Sequence, residues 1–365
     1  MDFNLTNIKK TILTKEMVKN RNCENFIGGI QVPLGLAGPI KIFDKEYYLP
    51  LATTEGALVA SVNRGCKATK LSGGINTYVE NVGVTRAPLF RVKNLQQGRE
   101  LIDFVRQEFA KIAKIACANE PFIKLLKCDP FQVGTNVWLR FSFDTCEAMG
   151  MNMATVACQK IADFLEDKFK IECLALSGNL CIDKKPAFIN VILGRGKKVW
   201  AETVVKKQAI KDVLKADAGK MVEIVKQKSQ LGSAVAGSMG FNAHFANIVA
   251  ALFLATGQDM AHVTESSLGI ADAQIQGEDL YFSVYFPDMI LGTIGGGTGL
   301  PTQKEALGIL GLGKLQKGDS QVLAQIVAAA SLAGELSLTA ALASGHLARA
   351  HQDLGRGLQN KQINK

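Results

Sequence analysis

The sequence predicts an α+β fold: a large domain, a smaller α/β domain inserted into it, and a helical N-terminal arm. Three observations carry this. The chain has 365 residues, more than one small core organises. Helix-spaced apolar residues alternate with runs of β-branched and aromatic residues. Pro88 and Ser177-Gly178 bracket a stretch with helix, strand and helix signals of its own. The expected boundaries are 1–22 for the arm, 23–87 with 175–365 for the large domain, and 88–174 for the insert.

Each element follows from local pattern. Residues 1–22 are polar, basic and helical in pattern, and 24–51 read as short strands broken by Gly and Pro. From Glu55 the spacing of Leu58, Val59, Val62 and Cys66 is helical, and Gly73-Gly74 stops it. Within the insert, helices are expected over 97–114 and 150–169, with a strand at 137–143. Beyond it, Ala187–Leu193 reads as a strand, 206–225 and 242–256 as helices, 280–286 as a strand and 292–298 as a glycine loop. An Ala/Leu-rich helix is expected over 321–351.

Composition narrows the function. The chain is 47% hydrophobic and 21% charged, which is globular, with a formal charge of +9. The basic residues are interleaved with acids, and five Tyr and two Trp make no stacking platform. A small polyanionic ligand fits that charge better than a nucleic acid does. The eight cysteines form no C-x-x-C pair and no Cys/His zinc spacing, so free thiols in a reducing cytoplasm and no metal are expected. The N-terminus has no apolar signal core, and Ile248–Thr256 is too short for the ~20 residues of a bilayer span. A soluble, cytoplasmic protein is the expectation.

Four short stretches offer reactive groups. Glu55 follows Thr53-Thr54; it reads either as a helix N-terminal carboxylate or as an acid enclosed by small residues with a raised pKa. Lys184, in Asp183-Lys184-Lys185-Pro186, suits an exposed turn or a cation facing a carbonyl oxygen. Asp259, in Gly257-Gln258-Asp259, suits a helix end or a carboxylate coupled to that lysine. His346 and His351 lie five residues apart, roughly 140° around a helix, so they are no chelating pair. The glycines 295–297 match neither G-x-G-x-x-G nor G-K-[ST].

The ordered set of these motifs resembles 3-hydroxy-3-methylglutaryl-coenzyme A (HMG-CoA) reductase, in its class I form without a membrane anchor. The resemblance runs from about residue 20 through Glu24-Asn25-Phe26-Ile27-Gly28, Pro50-Leu51-Ala52-Thr53-Thr54-Glu55-Gly56, Ser61-Val62-Asn63-Arg64-Gly65-Cys66 and Ser177-Gly178-Asn179. It continues through Asp183-Lys184-Lys185-Pro186, residues 232–238, Asn242-Ala243-His244, Gly257-Gln258-Asp259, 292–298 and the C-terminal histidine helix.

What the resemblance implies is reduction of HMG-CoA to mevalonate and coenzyme A by two NAD(P)H, through mevaldehyde. NADPH is favoured, with NADH as the alternative. Lys184 would hold the oxyanion, Glu55 would give a proton to the aldehyde oxygen, and Asp259 would tune both. His351 would protonate the coenzyme A thiolate. Arg86, Ser177, Asn179, Lys185, Lys228 and Asn247 match hydroxymethylglutaryl-binding positions. Ser61, Asn63 and Arg64 match the coenzyme A side. Glu147, Met149, Gly150, Met151 and Asn152, with Gly295, Gly296, Gly297 and Thr298, would hold the dinucleotide, and Arg356 its 2′-phosphate. Glu147 departs from the usual Asp. Glu120-Pro121 stand near a Ser-Arg pair of animal forms, and Gly357 replaces a phosphorylated serine. An obligate homodimer or higher assembly is implied, with the site between subunits. The competing readings are a lyase or thioesterase on the same coenzyme A ester, which needs no dinucleotide loop, and a basic nucleic-acid module.

Overall fold

The computed structural model describes residues 3, 5–18, 22–314 and 316–345. The arm holds two short helices, α1 (Thr6–Lys10) and α2 (Lys15–Val18). Glu305 fixes α1, its two carboxylate oxygens accepting from Asn7 N–H at 3.0 Å and Ile8 N–H at 2.6 Å. Residues 24–33 form no strand; pairing starts only with the hairpin β1 (Leu34–Ile42) and β2 (Lys45–Ala52).

Helix α3 (Leu58–Leu71) buries Leu58, Val62 and Cys66 on one face and ends at Gly73 and Gly74, both in the left-handed region. Strand β3 (Asn76–Arg86) follows and serves two units. Asn76–Gly83 pairs with β8, whereas Val84–Arg86 pairs with β6. The switch is at Gly83, with φ +82 and a register shift. A Cβ there would lie 2.8 Å from Phe143 O, so only glycine passes.

Between the two uses of the sheet lie β4 (Leu89–Arg91), α4 (Leu95–Gln107), α5 (Phe109–Ala116), β5 (Lys124–Val133), β6 (Asn136–Asp144), α6 (Met151–Phe169) and β7 (Glu172–Ala175). The helix expected over 97–114 is thus two, parted at Glu108. These elements enclose their own core, from Val84 and Phe90 to Leu165, joined from far along the chain by Ile290.

The second core is larger. After α7 (Phe188–Leu193) come β8 (Arg195–Val205), α8 (Lys207–Ala209), α9 (Ala218–Ile224), α10 (Ser233–Val235), α11 (Phe245–Thr256), α12 (Val263–Ser266), β9 (Ile270–Gln276), β10 (Asp279–Met289), α13 (Pro301–Ile309) and α14 (Asp319–Ala343). One antiparallel sheet of order β7-β4-β6-β3-β8-β10-β9, with β5 on β6, spans both cores.

Two of these expectations are corrected. Ala187–Leu193 holds a helix, Phe188–Leu193: a short, mostly apolar run fits either state, and Asn190 inside it is buried, bonding Ile182 O and Asp288. The expected helix 206–225 breaks at Lys215, which is left-handed after a π-helical turn, and restarts at the Asp217 cap. Ile248–Thr256 lies in α11, a shorter apolar helix. Asp319–Ala343 is long and apolar enough to span a bilayer, yet 83% of its apolar window is buried inside the large core.

Small residues let α14 sit there. At Gly65 of α3 an added Cβ would lie 1.9 Å from Ala333 O of α14. Gly65→Ala forces the two helices apart; overpacking of this kind costs about 1–3 kcal/mol. The expected outcome is a lower Tm by calorimetry, and a Tm equal to that of the parent would contradict this packing.

Candidate active site

The loop from Ser177 to Ala187 carries Lys184 in an unusual backbone. Asn179, Ile182 and Lys184 all have positive φ, at 62°, 45° and 61°. Each such residue costs of order 1–3 kcal/mol, so the surroundings must impose it. They do. Gly178 N–H donates to Ala87 O, and Trp138 Nε1–H donates to Gly178 O, both at 2.8 Å. Asn190 Nδ2 donates to Ile182 O, and Lys184 N–H donates to Glu265 Oε1 at 3.0 Å. Asp183 accepts from Arg195 Nη2 at 2.9 Å and lies 3.4 Å from Arg86 Nη1. Burial pushes the Asp183 carboxyl up, but Arg195, His262 and Arg86 outweigh it and hold it below the usual range.

The loop aims Lys184 Nζ at Asp259 Oδ2, 2.7 Å away. Asp259 follows Gly257, whose left-handed φ of +72 ends α11. It caps the turn Met260–His262, with Oδ1 accepting from Ala261 N–H at 3.1 Å. Burial raises its carboxyl, yet the Lys184 and Ala261 hydrogen bonds and the His262 and Lys184 charges lower it overall. Gln258 grips Gly292, giving and taking a hydrogen bond at 2.9 Å each. A Cβ on Gly257 would lie 2.4 Å from Gly297, so the Asp259 turn rests directly on the glycine loop.

Behind the lysine loop lies a buried charge network. The Arg195 guanidinium bonds Thr85 Oγ1, Asp183 and Glu265, with Glu265 Oε1 at 2.6 Å, and touches Met151 Sδ at 3.1 Å. His262 Nδ1 is 2.8 Å from Glu265 Oε1. Asp183, His262 and Glu265 have a metal-like spacing within 4.8 Å. Arg195 supplies the positive charge between the two carboxylates. The sequence reading missed this network; its one local signal was His262, three residues after Asp259 and so on the same helical turn.

Glu55 is not enclosed by its small neighbours, as one reading expected. It is exposed, and its Oε2 accepts from Asn247 Nδ2 at 2.6 Å. No hydrogen bond or ion pair among the described residues joins this pair directly to Lys184–Asp259. A cavity of about 490 Å³ lined by Pro186, His244 and Asn247 lies beside both stretches.

The other expected residues are placed as follows. Arg86 Nη1 donates to Ser177 Oγ at 3.3 Å, and Lys185 Nζ to Asp183 O at 3.0 Å. Asn179 holds its positive-φ position in the loop. Lys228 is exposed on the π-helical stretch Val225–Gly232, and its charge acts on buried Glu335 of α14. Ser61 Oγ and Arg64 Nε both bond Ser337 Oγ of α14, at 2.9 and 3.0 Å, and Asn63 Oδ1 accepts from Gly38 N–H.

On the expected dinucleotide side, Glu147 already has partners. Its two oxygens accept from Gly318 N–H and Ser320 N–H, both at 2.7 Å, at the N-terminus of α14. It therefore anchors its loop rather than presenting a free carboxylate. Met149 backs against Gly292, where a Cβ would lie 2.4 Å from Met149 N. Gly150 is the left-handed start of α6, Met151 touches Arg195, and Asn152 is exposed. Gly295 and Gly296 have φ of 85° and 55° with open space where side chains would be, while Gly297 packs on Gly257. Thr298 Oγ1 closes the loop on Gly295 O at 2.7 Å. His346, His351, Arg356 and Gly357 lie outside the described residues.

Asp288 of β10 completes the interior. Asn190 donates to its Oδ2 at 2.6 Å, and burial pushes its carboxyl up to about 8 despite the Arg195 charge. The fold thus keeps a proton that the unfolded chain releases near pH ~4. Stability falls as pH rises through the window up to about 8. Asp288→Asn is expected to flatten that fall in urea titrations across the window; a slope like the parent's would contradict it.

A family model described as hydroxymethylglutaryl-coenzyme A reductase matches residues 1–356. The 3-hydroxy-3-methylglutaryl-coenzyme A reductase of Pyrococcus abyssi is 50% identical over 346 residues, covering 92% of this chain and 85% of that one. That of Aeropyrum pernix is 48% identical over 362 residues, covering 97% and 86%. A solved class II 3-hydroxy-3-methylglutaryl-CoA reductase from Streptococcus pneumoniae, bound to NADPH, shares the fold with a TM-score of 0.76 at 20% identity, covering 92% of this chain and 82% of that chain. A match of this length, with relatives identical at about half of their aligned positions, places the chain: it belongs to the hydroxymethylglutaryl-coenzyme A reductase family.

Proposed function

We propose that the Lys184–Asp259 pair is the centre at which this chain reduces HMG-CoA to mevalonate and coenzyme A, with NADPH as the preferred reductant. The observation that carries it is the 2.7 Å ion pair, held by a loop with three left-handed residues. An ammonium fixed in that way, yet still 42% exposed, faces incoming substrate without having to be ordered first.

The glycine loop fits a dinucleotide. Gly295 and Gly296 leave a side-chain-free surface beside the 147–153 backbone, where a ligand can approach closely. The nicotinamide supplies hydride twice, once to the thioester and once to mevaldehyde. NADPH in the Streptococcus pneumoniae neighbour and the +9 charge support this reading. Arg356 is assigned to the 2′-phosphate.

The chain's own groups then divide the work. Lys184 Nζ stabilises the oxyanion that forms at the carbonyl oxygen in both reductions. Asp259 keeps that ammonium charged and oriented. Glu55, oriented by Asn247, gives a proton to the aldehyde oxygen. His351 protonates the departing thiolate. Arg86, Ser177, Asn179, Lys185 and Lys228 receive the hydroxymethylglutaryl carboxylate, and Ser61, Asn63 and Arg64 receive coenzyme A.

Mixing the protein with HMG-CoA and NADPH, then NADH, tests the reading by nicotinamide absorbance, with faster oxidation of NADPH expected. Lys184→Ala should cost ~10²–10³ in rate on both HMG-CoA and free mevaldehyde. His351→Ala should cripple thioester reduction but spare mevaldehyde, since no thiolate leaves there. Equal loss of both halves in His351→Ala would remove the leaving-group role.

The active form is proposed as a homodimer or higher assembly, with the small unit of one chain serving the partner's pocket. Two isoleucines of segment 24–33, Ile27 and Ile30, stand 102% and 96% exposed, an apolar surface that a second copy would cover. Ile27→Asp should shift sedimentation towards the monomer and lower activity with it. A fully active monomer would refute the shared site.

A further inference from the structure

Strands β3, β8, β10 and β9 pack one face into the large core, with Val199, Ala201, Val284 and Ala271 turned inward. The opposite face of an antiparallel sheet is ordinarily polar. Here it carries an aromatic row. Tyr78, Trp200, Tyr285 and Ile270 stand directly opposite one another across the four strands. Trp200 and Tyr285 stack at 5.0 Å with their planes 24° apart, and Tyr78 tilts against Trp200 at 5.5 Å. Tyr78 is 64% exposed.

Two residues along each strand the chemistry changes. Asn76, Glu202, Ser283 and Asp272 form the neighbouring row. Their side chains are shorter than the rings, so this row is the floor of a trough and the aromatic row is its wall. Tyr281, one row further, stands on the far side, and its hydroxyl donates to Glu202 Oε2 at 2.9 Å. Asp272 is fixed as well: its Oδ2 accepts from Gln274 at 2.9 Å and its Oδ1 from Gln230 at 3.3 Å. The trough encloses about 470 Å³. Among the described residues no Lys or Arg lines it, although the chain carries a net charge of +9. Lys198 lies on the other side of the aromatic row, opposite Glu80.

Shape and charge together select a ligand. Glu202 on β8 and Asp272 on β9 have one strand between them, which puts their backbones roughly 10 Å apart. A single small cation meets only one of the two carboxylates. A flexible chain with an ammonium at each end meets both, and its methylene links lie along the ring wall. An ammonium near the exposed Tyr78 gains a cation–π contact as well. Four strands make the trough only about 14 Å long. That suits a small molecule and falls well short of the ~1,000 Å² that a specific protein partner buries.

We propose that this trough binds a linear aliphatic oligoamine of the length and charge of spermidine, at a site none of whose lining residues serves the reduction.

Calorimetric titration with spermidine tests this, in the absence of coenzyme A and nucleotide, whose phosphates would themselves bind the amine. Saturable binding of one spermidine per chain is expected, with the shorter diamine putrescine weaker. Tryptophan fluorescence should change with it. The chain has two tryptophans, and the other, Trp138, is tied to Gly178 O. Glu202→Gln combined with Asp272→Asn keeps shape and removes charge at the surface; it should weaken binding ~10-fold, as loss of two exposed ion pairs does. Trp200→Leu should abolish the fluorescence change. No saturable binding, or equal binding in the double variant, overturns the proposal. A fluorescence change that persists in Trp200→Leu places the amine elsewhere and overturns it too. So does sedimentation in which Trp200→Leu splits an assembly of the wild type, since a second copy then covers the trough.

Discussion

Arg195 enters the interior where the two cores meet, and much of the site depends on its guanidinium. It is fully buried and reaches Thr85 on β3, Met151 on α6, Glu265 on α12 and Asp183 in the lysine loop. Those partners come from four separate parts of the chain. A buried cation is costly unless its donors are matched, and here two carboxylates and a hydroxyl match them. Removing one member of such a cluster typically costs about 3–5 kcal/mol, because the others stay buried and unpaired. The arrangement also fixes geometry: Asp183 and Lys184 N–H are both tied to it, directly or through Glu265.

That anchoring explains how a loop with three left-handed residues persists. The strain at Asn179, Ile182 and Lys184 is offset by hydrogen bonds from Asn190, Trp138 and the loop's own Lys184 N–H. The result is a lysine whose backbone is held and whose ammonium is still open to solvent. The second half of the site is built differently. Gly257 and Gly297 touch backbone to backbone, and Gln258 clamps Gly292, so the acid and the glycine loop move as one piece.

Much of this was legible in the residues. Helix α3 was visible because Leu58, Val62 and Cys66 repeat on one face and paired glycines end the helix. Strand β10 was visible in its aromatic and β-branched run, and α14 in its small apolar residues. The pairing of Lys184 with Asp259 was expected from the order of motifs. What failed was local ambiguity. Phe188–Leu193 carries no period that separates strand from helix, and its helix is fixed by Asn190 reaching Asp288 almost a hundred residues later. The break at Lys215 needs a π-helical turn, which leaves no compositional trace. The two amide hydrogen bonds that Glu147 accepts at the start of α14, from residues over 170 positions away, likewise leave no local trace.

The sequence by itself determined the family and its reaction, because the motifs that carry them are short and contiguous and can be read one at a time. Only the tertiary structure decided which groups share a proton or a charge. Arg195, His262, Glu265 and Asp288 look like unrelated residues along the chain, and their meaning arises from burial together, with partners about 3 Å apart and the Asp288 carboxyl raised by its enclosure. The same holds for β3, a single strand whose Gly83 lets it serve two cores at once. Long-range packing creates that low-dielectric setting, and no window of neighbouring residues contains it.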